Sequence, residues 1–282
     1  MGDRRLLFAN ERVAAEALAG QVESARLVRP EPRQVAVFAT FLHARPDGAR
    51  DRQILLGDQV EVIEEREGWS FARVAKDGYV GYVATADLAP RTSATHAVTR
   101  RHTHLYPEPD LKLPPVARLP FGGRVAVEAV EGRWARTAGG FLPDAHLRRI
   151  DAPMTDPLSV AEMFLGTPYL WAGNTGDGID CSGLVQVACL ACGIACPGDS
   201  DQQEQALGTR LPDGAPLRRG DLIFWRGHVG WLADTNRLLH ANAHAMAVTF
   251  EPLAEALARI EAQGDGPVTS LRRLATGDGG RN

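Results

Sequence analysis

The chain has 282 residues, 44% of them hydrophobic, which is too long for one small domain and apolar enough to bury more than one core. A formal net charge of −4 carries no global basic field, which argues against an extended nucleic-acid partner or an anionic membrane and favours small, neutral or zwitterionic ligands. At the N-terminus Asn10, Glu11, Arg12 and Glu16 interrupt any apolar run long enough for export or spanning, so the expected location is cytoplasmic.

Residues 4–28 carry Leu7, Val13, Ala14, Ala17 and Leu18 at helical spacing, which predicts an amphipathic helix and an N-terminal helical segment over residues 1–31. From Val35 the pattern changes to short alternating runs, VAVFATFLHARP, GDQVEVIEEREG, WSFARVAK and DGYVGYVATADL, broken by Gly, Asp and Pro. This predicts a small β-barrel over 32–91. Residues 92–152 repeat that layout in degenerate form: FGGRVAVEAVEGRWART follows LLGDQVEVIEEREGWSFARV, and GGFLPDAHL follows VGYVATADL. Both copies resemble bacterial SH3-like domains, in which a glycine-led strand, a Trp after an acidic turn and a closing G-[YF]-[VL] strand recur.

A third domain is predicted over 153–282. Asp156 caps a helix that begins at Pro157. The Gly-rich run TPYLWAGNTGDGID, a cysteine-bearing helix and the stretch DSDQQEQA follow, and then the strands DLIFWRG, HVGWLAD and RLLHANA. Helices first and antiparallel strands after predict an α+β domain.

Cys181, Leu184, Val185, Ala188, Cys189 and Cys192 form one apolar helical stripe that Gly193 ends. Cys189 and Cys192 therefore read as small buried hydrophobes, and with no second ligand pair at zinc spacing no metal is expected. The Gly-rich run lacks a lysine at phosphate-loop spacing, so nucleotide binding is not expected either.

Cys181 differs from the other cysteines. Asp180 is a suitable N-cap, so Cys181 falls in the first helical turn, where the dipole favours a thiolate by ~0.3–1 kcal/mol. That alone leaves a thiol of pKa about 8.5 protonated at neutrality, so a histidine partner is required. His228 and His240 are symmetric about Asp234. A hairpin centred there lays them opposite each other, within reach of a mutual hydrogen bond.

From residue 154 onward the run PY-x-W-x-G, then DCSG, GDLIF, HVG and a later His is similar to the NlpC/P60 family of papain-like cysteine peptidases. The fold implied is a papain-like α+β catalytic domain preceded by two small SH3-like β-barrels. The resemblance implies Cys181 as nucleophile, His228 as base, His240 as its orienter and Tyr169 as a partner of the Cys181 N–H in holding the oxyanion. Ala172 departs from the pattern, which has a second glycine after the Trp.

SH3-like modules ahead of such a domain also occur in cytoplasmic dipeptidyl-peptidase VI-like enzymes of murein recycling. These cleave γ-D-glutamyl-L-diamino acid bonds in peptides with a free N-terminal L-Ala. That resemblance implies a small murein peptide substrate, no cofactor, and amine recognition by Asp180, Ser182 and Tyr82. Asp180 reads equally as a plain cap.

Trp171 is expected on a cleft wall, His244 as a substrate contact or an exposed residue, and Gln202, Gln203 and Gln205 on a solvated helix face. The alternative enzyme reading is an endopeptidase acting on intact wall, with the β modules binding it. A non-catalytic peptide binder would have lost the thiol–histidine pair. Acyl transfer or lipid amide hydrolysis would need an apolar channel.

Overall fold

A computed structural model describes residues 2–22, 26–264 and 266–275. The chain divides into two compact units, residues 1–152 and 153–282.

The expected N-terminal helix is absent from the described part of 4–28. Strand β1 (Ala14–Ala15), a 3-10 turn at Glu16–Leu18 and strand β2 (Leu27–Val28) occupy it instead, with β1 parallel to β2. Side-chain hydrogen bonding competes with the helix. The Asn10 side chain accepts the N–H groups of Arg12 and Val13 at 2.9 and 3.0 Å, a local turn that replaces helical pairing. Phe8, Val13 and Ala15 then pack against Ile63, Phe71 and Val80. Arg12 forks onto Glu64 with two contacts of 2.7 Å.

The first β module runs β3 (Glu31–Val35), β4 (Ala39–His43), β5 (Arg50–Leu55), β6 (Gln59–Arg66), β7 (Trp69–Val74), β8 (Val80–Ala84), a 3-10 turn and β9 (Leu88–Pro90). Alternate residues, among them Val35, Leu42, Ile54, Val60, Val62 and Val74, form its core. The strands make one sheet in the order β5-β4-β8-β7-β6-β3-β9. The barrel expected from the sequence is not closed by pairing, because end strands β5 and β9 remain unpaired with each other. One end stops at Pro90, which has no N–H to offer, and the other begins with the charged pair Arg50 and Asp51.

The second module repeats this order as β10 (His96–Val98), β11 (His102–Leu105), β12 (Ala117–Pro120), β13 (Arg124–Val125), β14 (Ala129–Glu131), β15 (Trp134–Thr137), β16 (Gly140–Pro143), a 3-10 turn and β17 (Leu147–Arg149). It forms three short sheets, β13-β10-β17, β11-β12 and β14-β15-β16. Pairs β13 and β14 stand where the first module has the single long strand β6. Its core is smaller, built on Val98, Leu119 and Leu142.

In the second unit, α1 (Pro157–Glu162) starts as expected, with the Asp156 carboxylate accepting Leu158 N–H at 3.1 Å. The Gly-rich run forms the tight pair β18 (Asn174–Thr175) and β19 (Gly178–Ile179) before α2 (Cys181–Ala191). Then follow α3 (Ser200–Ala206), β20 (Thr209–Arg210), β21 (Asp221–Trp225), β22 (His228–Leu232), β23 (Arg237–Asn242), β24 (Ala247–Pro252), α4 (Leu253–Ala262) and β25 (Ser270–Arg273). The sheet order is β20-β25-β21-β22-β23-β24, antiparallel throughout. Helix α2 packs on β22 and β23. Helix α4 lays Leu253, Ala256 and Ile260 onto Ile223, Trp225 and Leu238. No described helix is long and apolar enough to cross a membrane.

Candidate active site

Helix α2 is anchored at its start. The Asp180 carboxylate accepts from Gly183 N–H at 2.6 Å, Ser182 Oγ at 3.0 Å and Ala172 N–H at 2.9 Å. Cap and loop are thus tied by one side chain, and Cys181 becomes the first helical residue. Ala172 has φ +65°, the left-handed conformation that suits glycine, which gives a physical reason for the glycine that the motif places there. Below the first turn, buried Gln203 on α3 donates to the Ser182 and Pro197 carbonyls at 2.9 and 3.0 Å. Gln203 is therefore a packing residue, whereas Gln205 is exposed as expected of a solvated face.

Strands β22 and β23 pair Trp231 with Leu239 and Leu232 with Leu238. The hairpin is therefore centred on Thr235, one residue later than the sequence symmetry suggested. His240 falls opposite Gly230, and His228 lies diagonally across the pair on the same face. Nothing projects from Gly230 to separate the rings: a Cβ there would stand 3.2 Å from His240 Cβ and 2.8 Å from Leu238 Cδ1. His228 Nε2 and His240 Nδ1 are 2.9 Å apart, with ring centroids at 5.1 Å. Buried Trp225 backs His228 at 5.6 Å.

Tyr169, Cys181, His228, Asn242, His244, Arg259 and Gln263 line one cleft of about 540 Å³. His240 is fully buried behind His228. Its Nε2 lies 3.0 Å from Glu251 Oε2, and Arg259 grips that carboxylate through Nε at 2.8 Å and Nη2 at 2.6 Å. Neither Glu251 nor Arg259 was singled out from the sequence. The available signal was periodic: Glu251 is two residues beyond Thr249, the register partner of His240, and so shares its face.

Burial dominates the electrostatics of the cleft cysteine and the two histidines. It pushes the Cys181 thiol up to about 12, with the Asp180 charge adding to the rise, while the Val229 and Ser182 backbone groups act to lower it. It pushes His228 down to about 3, with His240 as the next cause, and His240 down to about 4 against the pull of Glu251. Tyr169 is held in its phenol form by burial and by the nearby Cys181 and Asp180. Burial therefore favours the neutral thiol and neutral imidazoles over the ion pair that the sequence suggested.

Asp180 and Ser182 are buried beneath Cys181 and do not line this cleft. Trp171 is 65% exposed and lies outside the lining. His244 is exposed at the rim. Tyr82 belongs to the first unit, where it lines a polar groove with Arg12, Glu64 and Trp69 and accepts from Asn10 Nδ2 at 3.2 Å. Cys189 is buried, as the stripe predicts, and Cys192 is partly exposed at the helix end.

Residues 166–261 match the model of the NlpC/P60 family. The chain carries an NlpC/P60 cysteine peptidase domain. Residues 42–88 match the bacterial dipeptidyl-peptidase SH3 domain. The gamma-D-glutamyl-L-lysine dipeptidyl-peptidase of Bacillus cereus is 28% identical over 237 residues, spanning 72% of this chain and 70% of that one. Dipeptidyl-peptidase 6 of Lysinibacillus sphaericus is 26% identical over 257 residues, 78% of this chain and 91% of the relative. A solved NlpC/P60 family protein from Bacillus cereus superposes with TM-score 0.72 at 21% identity, covering 86% of this chain and 99% of that chain, and shares its fold.

Proposed function

We propose that this enzyme hydrolyses the bond between γ-D-glutamate and the following diamino acid, meso-diaminopimelate or lysine, in murein peptides that begin with a free L-Ala, and that it does so in cytoplasmic recycling of those peptides. The reading is carried by one observation: Cys181, His228 and Tyr169 share a cleft, with His240 hydrogen-bonded behind His228. The names of the relatives supply the bond.

In this reading Cys181 Sγ attacks the γ-glutamyl carbonyl carbon as its proton passes to His228. The resulting oxyanion is held by the Cys181 N–H at the helix start and by the Tyr169 hydroxyl. Loss of one such donor costs on the order of 10²–10³ in rate. His228 then protonates the leaving amine, leaving a thioester on Cys181. The same imidazole takes a proton from water as that water attacks the thioester, which releases L-Ala-γ-D-Glu and restores the thiol. His240 orients His228, and the arriving substrate excludes water from both. No step draws on a metal or an organic cofactor.

Selectivity for a free N-terminal amine is carried in this proposal by the family resemblance alone, since Asp180 and Ser182 do not line the cleft and Tyr82 belongs to the other unit. The assay presents L-Ala-γ-D-Glu-meso-diaminopimelate, its N-acetylated form and intact peptidoglycan to the wild-type protein and to Cys181→Ala. Cleavage of the free-amine peptide alone, absent in the variant, is the expected result. Equal cleavage of both peptides would remove that selectivity. Release from polymeric wall instead would favour the endopeptidase reading, and activity surviving in Cys181→Ala would end the nucleophile assignment.

A further inference from the structure

We propose that Glu251, clamped by Arg259, is a positioning residue that sets the tautomer of both imidazoles and so leaves His228 Nδ1 as the basic nitrogen. The proposal rests on the reading of His228 as the base, and it deepens that reading by naming what keeps the base in its working form.

The geometry runs in one direction. An ionised carboxylate can only accept hydrogen bonds, and Glu251 is ionised because two guanidinium N–H groups point at its two oxygens. The 3.0 Å contact from His240 Nε2 to Glu251 Oε2 must therefore be an N–H donated by the ring. His240 is completely buried, and burial keeps it neutral, so that N–H is its only one. Its Nδ1 is then a lone pair, and the 2.9 Å contact with His228 Nε2 requires the proton to sit on His228. A neutral His228 protonated at Nε2 carries its lone pair on Nδ1. Glu251 is held from two elements, being on β24 with Arg259 one helix away on α4, so the start of the chain is fixed independently of substrate.

A merely structural ion pair between β24 and α4 would be indifferent to ring tautomers, which gives the test. Glu251→Gln is close in shape but presents an amide whose N–H₂ can face His240 Nε2, demanding a lone pair there and reversing every donor along the chain. In ¹⁵N-imidazole-labelled protein, the wild type should show both His228 and His240 protonated at Nε2. In Glu251→Gln at least part of the His240 population should move to Nδ1–H. With the fold verified by its melting temperature and circular dichroism, kcat on the free-amine peptide should fall at least ~10²-fold with KM changed less than about threefold, as expected when a general base is held in the wrong tautomer. Glu251→Asp, which keeps an acceptor, should recover part of kcat.

A wild-type spectrum with His240 protonated at Nδ1 would overturn the proposal without any variant. So would a folded Glu251→Gln protein with unchanged kcat. The tautomer spectrum recorded on Cys181→Ala needs no turnover, so it separates failure of this relay from failure of the nucleophile assignment.

Discussion

Two glycines shape the candidate site as much as the polar side chains that line it. Gly230 faces His240 across the hairpin, and Gly183 sits in the first turn of α2, where a Cβ would lie 2.3 Å from Gly173 O and 2.5 Å from Asn174 Oδ1. Those two neighbours differ in how they can yield. At Gly183 the obstacle is backbone, so Gly183→Ala must lever the helix start off the Gly-rich loop. Its expected cost is at the upper end of overpacking, ~3 kcal/mol or more, read as a lost or strongly lowered melting transition of the second unit. At Gly230 the nearest atom is the tip of the Leu238 side chain, which can swing, and then His240 Cβ, which is tied through its ring to Glu251. Gly230→Ala should therefore fold with a modest loss, ~1–3 kcal/mol, but push His240 off His228 and lower kcat more than it raises KM. An unchanged kcat in Gly230→Ala would mean that the His228–His240 contact does not govern the rate.

Helix α2 shows how one element couples stability to reactivity. Asp180 caps it, and the same carboxylate raises the Cys181 thiol as the second cause after burial. Replacing Asp180 by Asn keeps an oxygen for Gly183 N–H and removes the charge, so the Cys181 pKa should fall. Iodoacetamide labelling of the Cys181 peptide at pH 7 to 8, followed by mass spectrometry, should then be faster in Asp180→Asn than in wild type. Equal or slower labelling would show that the charge is screened from the sulfur.

This helix was legible in the sequence because its cap, its apolar stripe and its terminating Gly193 agree, and all three act within a few residues. The N-terminal segment misled because Leu7, Val13, Ala14 and Leu18 fit helical spacing, while the deciding contacts are the Asn10 turn and a groove formed by residues some fifty positions away. The histidine pair was legible as a pair, but its register was set by a turn at Thr235 that sequence symmetry put at Asp234. Glu251 and Arg259 were silent because an acidic residue at a strand end and an arginine on an amphipathic helix are ordinary until the fold buries them together.

At the scale of the whole chain, the two β modules share a strand order, yet the first is one seven-stranded sheet and the second three short ones. The repeat was visible in sequence, whereas the breaks were not, since they follow from strands of two to four residues. The second unit is built differently, with polar reacting groups withdrawn from water, and that gives it a distinctive pH response. His228 and His240 have native values near 3 and 4 against 6.5 when unfolded. Between about pH 6.5 and 4 the unfolded chain therefore binds more protons than the native one, and stability falls as pH falls. Cys181 runs the other way, near 12 when folded against 9 when unfolded. Above pH 9 the unfolded thiol ionises while the folded one does not, so stability falls again as pH rises. Hydrogen exchange measured on peptides covering residues 221–252, corrected for intrinsic rates, should show protection that is flat from about pH 6.5 to 9 and lower on either side. The acid arm should shrink in His240→Asn, which removes one of the two imidazoles. Protection that stays level down to pH 4 in the wild type would mean that the two rings take up protons without disrupting the fold, and would contradict their neutral burial.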